Sequence, residues 1–493
     1  MTFDEVVQGL ARANYELQTE GRLVRAGEKT ELESAAIVER WAWLYGPEAL
    51  AAAEGPGEDR MRVRHALQQG QIERRTAPLN DRLETAFASA QLRVGDQDVA
   101  FYSAQAQMAR EGDAARREAL GEAVAGFEES MESDLLELAA MTGEAIAEFG
   151  FDSYLDFWQD QKGIDYASLR AEVSSVAETA RELYRSWVGA RMEEFGRDFG
   201  TCPQWHLSFI RGLRQHDSAF TSEAFEPAMR RTAERLGLPL FSAASIHIDL
   251  EDRPAKNPRA SVWVPDAGRE VHLLTRLGGG NADYSAFLHE SGHALHFGLC
   301  DPDLGWPLTN LGRSMAYAEL WSYLYEHIGH DPAWVSEATG VAAADAERIS
   351  ADLTGVDLMM FTRYAGKLEY ELDLYSGDPL IAERGRGLYR DRLSARTGFA
   401  YDPRPWQVDR DPGFYSADYL RAWLAQAALE ERLREAFGEH WWANAKAGEW
   451  LRSRWRMGWI PEAEEVVQEM GGVPWSGAAL LRTFAERLAP AGL

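Results

Sequence analysis

Most of the chain follows the periodicity of amphipathic helices. Apolar residues recur at spacings of three and four, with charged residues between them, in residues 31–50, 114–149 and 166–195. Glycine-containing breaks separate these stretches. After Pro307 the pattern is helical again, and we expect long helices over residues 315–328, 342–375 and 415–437. The pattern therefore predicts a mainly α-helical protein.

The periodicity changes between residues 245 and 276. Residues 246–250 alternate apolar and polar side chains, residues 261–264 are rich in β-branched and aromatic side chains, and residues 271–275 follow a turn at 265–268. We expect three short strands here, directly before a further helix. They form either an edge with which an extended peptide can pair or a small sheet that supports the helix, and the two interpretations are compatible.

That helix contains the motif His-Glu-Ser-Gly-His at residues 289–293. Two histidines at positions i and i+4 lie on one face of a helix, so their ring nitrogens can converge on one divalent ion. Glu290 lies beside the first histidine, where it can take a proton from a metal-activated water without binding the metal. The motif predicts a zinc hydrolase with His289 and His293 as ligands. The alternative is a coincidental pair at the surface or in the core.

Zinc bound by two histidines needs a third protein ligand and an open position for water. Glu319 lies in a mostly apolar helix, and a carboxylate is seldom buried without a partner, so Glu319 is the candidate third ligand. Glu326, on the same helical face, either holds a ligand histidine through its other ring nitrogen or is a solvated charge.

Two further residues of the motif helix carry predictions. We expect His296 to be packed or to support the site. Gly292 costs about 1 kcal/mol relative to alanine, which indicates a close approach by another element.

Composition restricts the partners and the compartment. The formal net charge of −28 argues against nucleic acid and anionic membranes, because both would be repelled. No apolar run reaches membrane-spanning length, and the first residues lack the pattern of a signal peptide. Cys202 and Cys300 are far apart and form no CxxC motif, so neither a disulfide framework nor thiolate-bound zinc is predicted. We expect a cytoplasmic protein, and the sequence carries no prediction of its oligomeric state.

Residues 289–296 resemble the HExGHxxH helix of the thimet oligopeptidase and oligoendopeptidase F family of zinc peptidases. Glu319, which follows His293 by 26 residues (319 − 293), fits the family's third-ligand helix, and Glu326 resembles a second glutamate of that helix. Residues 249–256 are similar to a strand-and-loop signature, and residues 415–419 to a tyrosine-rich segment that contacts substrate. The resemblance extends over roughly residues 145 to 480.

The resemblance implies a two-lobed helical metallopeptidase whose deep central channel admits short peptides. One Zn²⁺ ion per chain would be held by His289, His293 and Glu319, with Glu290 as general base and with Tyr415 and Tyr419 as donors to the oxyanion. We assign residues 1–200 to an N-terminal helical lobe. Residues 201–493 then form a catalytic lobe with the small sheet (245–276), the metal helix (283–299) and the C-terminal helices.

Two positions depart from the pattern of that family. The family has a histidine about five residues before the first tyrosine, where this chain has Asp409 and Arg410. A tyrosine expected three residues after Tyr419 is Ala422. Stabilisation of the oxyanion is therefore expected to come from one of the remaining donors, Tyr415, Tyr419, Arg410 or Arg421.

Three functions are compatible with these residues. The leading hypothesis is an oligoendopeptidase that hydrolyses internal bonds of short unstructured peptides. A carboxypeptidase using the same helix is an alternative, and it needs a cation for the terminal carboxylate of the substrate, for which Arg363, Lys367 and Arg421 are available. A catalytically silent, peptide-binding zinc scaffold is the third, although it has no need of Glu290.

Overall fold

The computed structural model describes residues 1–257, 259–376 and 382–488. Over these residues the chain forms 22 α-helices and five short strands, which confirms the predicted mainly helical class. Within the same residues, no helix is both long enough and apolar enough to cross a membrane.

The helices are numbered along the chain: α1 (Phe3–Arg25), α2 (Ser34–Arg40), α3 (Pro47–Ala52), α4 (Glu58–Ser89), α5 (Phe101–Met108), α6 (Ala114–Ser130), α7 (Glu132–Glu148), α8 (Tyr154–Lys162), α9 (Tyr166–Thr179), α10 (Arg181–Glu194), α11 (Leu207–Arg211), α12 (Ser222–Leu236), α13 (Asn281–Gly298), α14 (Trp306–Asn310), α15 (Ala316–Glu326), α16 (Pro332–Thr339), α17 (Ala343–Tyr375), α18 (Ala382–Thr397), α19 (Tyr415–Phe437), α20 (Ala445–Trp455), α21 (Ala463–Glu469) and α22 (Ala478–Leu488). The strands are β1 (Gln91–Val94), β2 (Gln97–Ala100), β3 (Ile246–Asp249), β4 (Ser261–Asp266) and β5 (Glu270–Leu274).

The long helical stretches predicted before residue 200 are divided in the structure. Residues 114–149 form α6 and α7, which are separated at Met131, and residues 166–195 form α9 and α10, which are separated at Ala180. Both separating residues keep a negative φ and have side chains common in helices. The apolar spacing therefore carries no signal of these two boundaries.

The chain divides into two compact units, each built from three segments. The first unit comprises residues 1–74, 215–350 and 421–479, and the second comprises residues 75–214, 351–420 and those from 480 onward. The lobes predicted from the sequence, 1–200 and 201–493, are contiguous stretches instead. Periodicity locates helices along the chain, but it does not show which of them pack together.

The first unit contains the three-stranded sheet, in the order β3-β5-β4. β3 and β5 are parallel, with Ile246 opposite Val271, and β4 and β5 form an antiparallel hairpin, with Val262 opposite Leu273. All three strands expected between residues 245 and 276 are present. The sheet packs against α13, which carries the histidine motif.

Part of the free edge of β4 is covered by α1. The Asn14 side-chain amide donates to the carbonyl oxygens of Val264 (3.3 Å) and Pro265 (3.2 Å). The Val264 amide donates to the side-chain oxygen of Gln18 (3.1 Å). These groups are therefore already paired, and they are not open to an added peptide strand.

Gly292 allows α13 and α15 to approach closely within the first unit. A Cβ atom at this position would lie 2.4 Å from the Trp321 carbonyl oxygen and 2.5 Å from the Ser322 Cα atom. These are backbone atoms, which cannot turn away as a flexible side chain can. The close approach expected at this glycine is confirmed.

We expect Gly292→Ala to lower the stability of the protein by roughly 1–3 kcal/mol, because the added methyl group forces two packed helices apart. Gly143→Ala is the matched control, since this α7 glycine has no neighbour within 4 Å of an added Cβ. The control should be neutral or stabilising by up to about 1 kcal/mol. Urea unfolding followed by circular dichroism compares the two midpoints. Equal midpoints for the two variants would contradict the close packing of α13 against α15 at Gly292.

Candidate metal centre

His289 and His293 of α13 meet Glu319 of α15. One potential ligand atom of each residue lies within 4.8 Å of the others. The Nε2 atoms of His289 and His293 are 3.4 and 3.6 Å from Glu319 Oε2. The two imidazole rings are nearly perpendicular, at 82°, with centroids 5.1 Å apart. The three residues that the sequence selected as ligands are therefore brought together.

Interactions within this cluster shift the pKa values of Glu319 and His289 in opposite directions. Burial raises the pKa of Glu319, but the charges and hydrogen bonds of His293 and His289 outweigh it and hold the pKa well below its ordinary value. Burial lowers the pKa of His289, yet Glu319 and Glu326 raise it well above the ordinary value. The Ser322 hydroxyl also donates to Glu319 Oε2 (3.0 Å). The arrangement favours a positive charge between these residues.

Glu326 orients the first histidine of the motif. Its Oε2 atom lies 2.9 Å from His289 Nδ1, and its Oε1 atom accepts from the Ser285 hydroxyl at 2.8 Å. Only 22% of the side chain is exposed, so Glu326 is not the solvated helix charge of the alternative interpretation. A carboxylate on Nδ1 leaves Nε2 of the same ring available to a metal. In contrast, His293 Nδ1 is buried without a hydrogen bond to the residues described.

His296 is packed away from the three converging residues, as expected. It is 1% exposed, and its Nε2 atom faces the Gly458 carbonyl oxygen at 3.2 Å. Its ring contacts Tyr317 and Trp459 edge-on. Burial lowers the pKa of His296 to about 3, so this ring is neutral at physiological pH.

Glu290 follows His289 on α13 and is half-buried. Among the described residues, no group forms a hydrogen bond or ion pair with its carboxylate. One cation interacts with it at longer range. Burial lowers the pKa of Arg25, and the charge of Glu290 opposes that shift. Arg25 could not be predicted from the sequence, because it lies at the end of α1, far from the motif, and no local pattern connects the two.

Tyr415 and Tyr419 lie one turn apart on α19. Their ring centroids are 4.7 Å apart at 71°, and Tyr419 also contacts Tyr364 with a centroid separation of 5.2 Å. Their role toward substrate stays a prediction. Ala422, which stands where the family has a further tyrosine, is fully buried and supplies no donor.

The cations suggested for substrate binding are engaged with the protein's own groups. Arg363 donates to Asp409 (2.7 Å), Lys367 pairs with Asp411 (2.8 Å), Arg421 pairs with Glu464 (2.8 Å), and Arg410 donates to the Tyr375 hydroxyl. Asp409 additionally accepts from the Tyr389 hydroxyl at 2.7 Å. These side chains therefore have structural partners, whereas the charge of Glu290 acts on Arg25 at longer range.

The donor set at α13 and α15 fits zinc. Two imidazole nitrogens and one carboxylate oxygen, with no thiolate, form the three-ligand set of catalytic zinc sites that keep a position open. The buried negative charge of Glu319 and the orienting contact of Glu326 are the features such an ion requires.

No protein-family model and no curated protein matches the sequence. Solved structures share its fold. A structure described as an oligoendopeptidase F from Bacillus anthracis is 15% identical, with a TM-score of 0.62 over 97% of this chain and 84% of that chain. An M32 carboxypeptidase from Deinococcus radiodurans is 15% identical, with a TM-score of 0.63 over 98% of each chain. PZ peptidase A, solved with an inhibitor, is 14% identical, with a TM-score of 0.62 over 97% of this chain and 85% of that chain.

These likenesses establish the fold of the chain. It is the helical fold shared by structures described as oligoendopeptidase F and M32 carboxypeptidase, which confirms the mainly helical fold implied by the resemblance in the sequence. The histidine motif lies on α13 and the glutamate pair on α15 within this fold.

We expect Glu326→Ala to weaken zinc binding by about 10- to 100-fold, because His289 loses the carboxylate that fixes its ring. Glu319→Ala should weaken it further, since a direct ligand is lost. Glu270→Ala is the matched control: Glu270 also contacts a histidine of the first unit (His272 Nε2, 2.9 Å), but outside the cluster. Competition with a chromophoric chelator measures the affinities. Loss of zinc in the Glu270 variant alone would place the metal elsewhere.

Proposed function

We propose that the protein is a zinc-dependent peptidase that hydrolyses internal bonds of short, unstructured peptides. The observation that carries this proposal is the convergence of His289, His293 and Glu319 next in sequence to Glu290, whose carboxylate forms no hydrogen bond or ion pair with the described residues. The fold supports it, because the solved structures that share it are described as peptidases. Zinc is the metal that this donor set favours.

His289, His293 and Glu319 would hold the ion, and Glu326 would keep the His289 ring in its binding orientation. When bound, Zn²⁺ supplies a Lewis acid that polarises the scissile carbonyl and lowers the pKa of a water molecule. Glu290 takes the proton of the attacking water and returns it to the leaving amine, so that the same carboxylate serves both halves of the reaction. Its lack of a hydrogen-bonding partner among the described residues leaves it ready for the first of these steps.

The oxyanion that forms during attack needs a hydrogen-bond donor. The resemblance in the sequence suggests Tyr415 and Tyr419 for this role, and their rings pack together on one face of α19. The engagement of Arg410 with Tyr375 and of Arg421 with Glu464 makes these arginines weaker candidates. One donor of this kind contributes about 3 kcal/mol to the stability of a transition state.

Glu290→Gln should retain zinc and lower kcat by about 100- to 10,000-fold, because the amide cannot take the proton of water. Glu223→Gln, an exposed acid of the same unit, is the control. Hydrolysis of quenched-fluorescent peptides, with zinc content measured in parallel, reports both quantities. Full activity in the Glu290 variant would exclude the mechanism. A wild-type protein that binds zinc and peptide without cleaving any would instead be the silent scaffold.

A carboxypeptidase is the second candidate, because an M32 carboxypeptidase shares the fold and Arg25 supplies a cation coupled to Glu290. Arg363, Lys367 and Arg421 are paired with protein carboxylates, which favours the endopeptidase.

We expect peptides with a blocked C-terminal amide to be cleaved at internal bonds as fast as the free acids, within about threefold, because an endopeptidase does not bind the terminal carboxylate. Mass spectrometry of the products locates each cut. Stepwise loss of C-terminal residues, abolished by the amide and weakened in Arg25→Met, would establish the carboxypeptidase. Arg12→Met on the same helix is the control for the arginine variant.

A further inference from the structure

The second unit contains an open cavity of about 400 Å³ that is independent of the residues of the metal centre. Its walls come from α5, α6, α11, α17 and α18 and from the segments 204–205 and 401–409. Pockets of a few hundred cubic ångströms are of the size that binds small organic molecules. The side chains around this cavity decide which chemical class fits it.

Glu128 is the charged group that marks this cavity. It lies on α6, lines the cavity and is only 6% exposed. Among the described residues, none forms a hydrogen bond or ion pair with its carboxyl group, and Arg404, whose positive charge acts on it, is paired with Asp402 and Glu122. A buried carboxyl group without a partner is costly, so the cavity side of Glu128 is where a partner would be gained.

The electrostatic potential at Glu128 is negative. The charges of Asp409 and Asp402 both act on it, and each aspartate is held ionised by its own cation, Arg363 and Arg404 respectively. Burial, followed by the charges of these two aspartates, raises the pKa of Glu128 to about 8. A cation placed here would relieve the repulsion as well as the desolvation of the carboxylate.

The rest of the wall is suited to an organic cation rather than to a metal ion. The clusters of described residues that could hold a metal do not include Glu128. Aromatic rings of Trp205, Tyr364 and Tyr401 line the cavity and offer π faces to an ammonium group. Apolar side chains such as Val124, Leu207 and Met360 can contact a hydrocarbon body. Arg211 is exposed and also belongs to the wall.

We propose that this cavity is a binding site for small organic ammonium ions with an apolar body, and that Glu128 forms the ion pair with the ammonium group. The proposal does not depend on the metal centre or on peptide hydrolysis. Amines and the amino groups of free amino acids belong to this chemical class.

Phenethylamine is a suitable probe, and 2-phenylethanol and 3-phenylpropionate are its neutral and anionic counterparts. Isothermal titration calorimetry of the full chain should give a Kd for phenethylamine of about 1 mM or lower, and at least tenfold weaker binding of the other two. Preference for the anion would overturn the proposal, because it would assign binding to Arg211 or Arg363. Equal binding of all three probes would overturn it as well.

The pH dependence follows from the state of Glu128. The ammonium group pairs with the ionised carboxylate, so a proton on Glu128 competes with the ligand below its pKa of about 8. Affinity for phenethylamine should therefore rise about tenfold from about pH 7 to about pH 9, a range in which the amine stays charged. The other groups of the wall that carry charge are Arg211, Arg363 and Asp409, and the latter two are ion-paired.

Glu128→Gln should weaken phenethylamine binding at least tenfold at about pH 9 and abolish its pH dependence. Glu129→Gln is the matched control, since the adjacent residue pairs with Arg386 outside the cavity. Thermal unfolding verifies that the Glu128→Gln variant is folded. This variant should be more stable than the wild type at high pH. A carboxyl group whose pKa is raised by folding lowers the stability of the folded protein as the pH rises from the ordinary pKa toward the raised pKa, and glutamine has no such group.

Ser208→Trp provides a second, charge-neutral variant. Ser208 lines the cavity from α11 and is only partly buried, so a larger side chain there should weaken all three probes together. Unchanged phenethylamine binding in both the Glu128 and the Ser208 variants would overturn the proposal, because the amine would then bind elsewhere.

Discussion

Backbone atoms of α15 pass so close to Gly292 that no side chain fits between α15 and α13. This contact sets the separation of the two helices that carry the candidate metal ligands. His289 and His293 come from one helix and Glu319 from the other, so their distances of 3.4 and 3.6 Å depend on it. A methyl group added at Gly292 would push α13 and α15 apart and so change the distances from both histidines to Glu319. The cost of a glycine inside α13 is offset by this proximity.

The same proximity places carboxylates where water is scarce. Glu319 is 3% exposed, and it is tolerated there because two histidines share the space with it. Glu326 adds a second negative charge on the far side of His289. Two carboxylates and two imidazoles in so small a volume favour an added positive charge. The donor atoms favour zinc. Both arguments therefore indicate a bound metal cation. Glu128 in the second unit is the contrasting case, a buried carboxyl group that has received no such partner from the described part of the chain.

Much of the candidate site was predictable because its information is local. Two histidines four residues apart on a helix share a face whatever surrounds them, and an acidic residue in an apolar helix requires an explanation. The fold class and the three strands were predictable for the same reason, since each follows from spacing along the chain. Arg25 was not predictable, because its approach to Glu290 is created by tertiary packing between distant segments. The two compact units were not predictable either, because each combines segments from different parts of the chain.

The hydrogen bonds between α1 and β4 have a consequence for the biosynthesis of the protein. Asn14 and its partner Val264 are 250 residues apart, so the first helix is complete long before its strand exists. At ribosomal rates of about 5–20 residues per second, the helix waits roughly 12–50 seconds for that strand to be translated. During this interval the polar face of α1 is without its strand, and afterwards the same face is immediately available to protect the emerging edge of β4. Order of synthesis thus reduces the time for which an open strand edge is exposed to other chains.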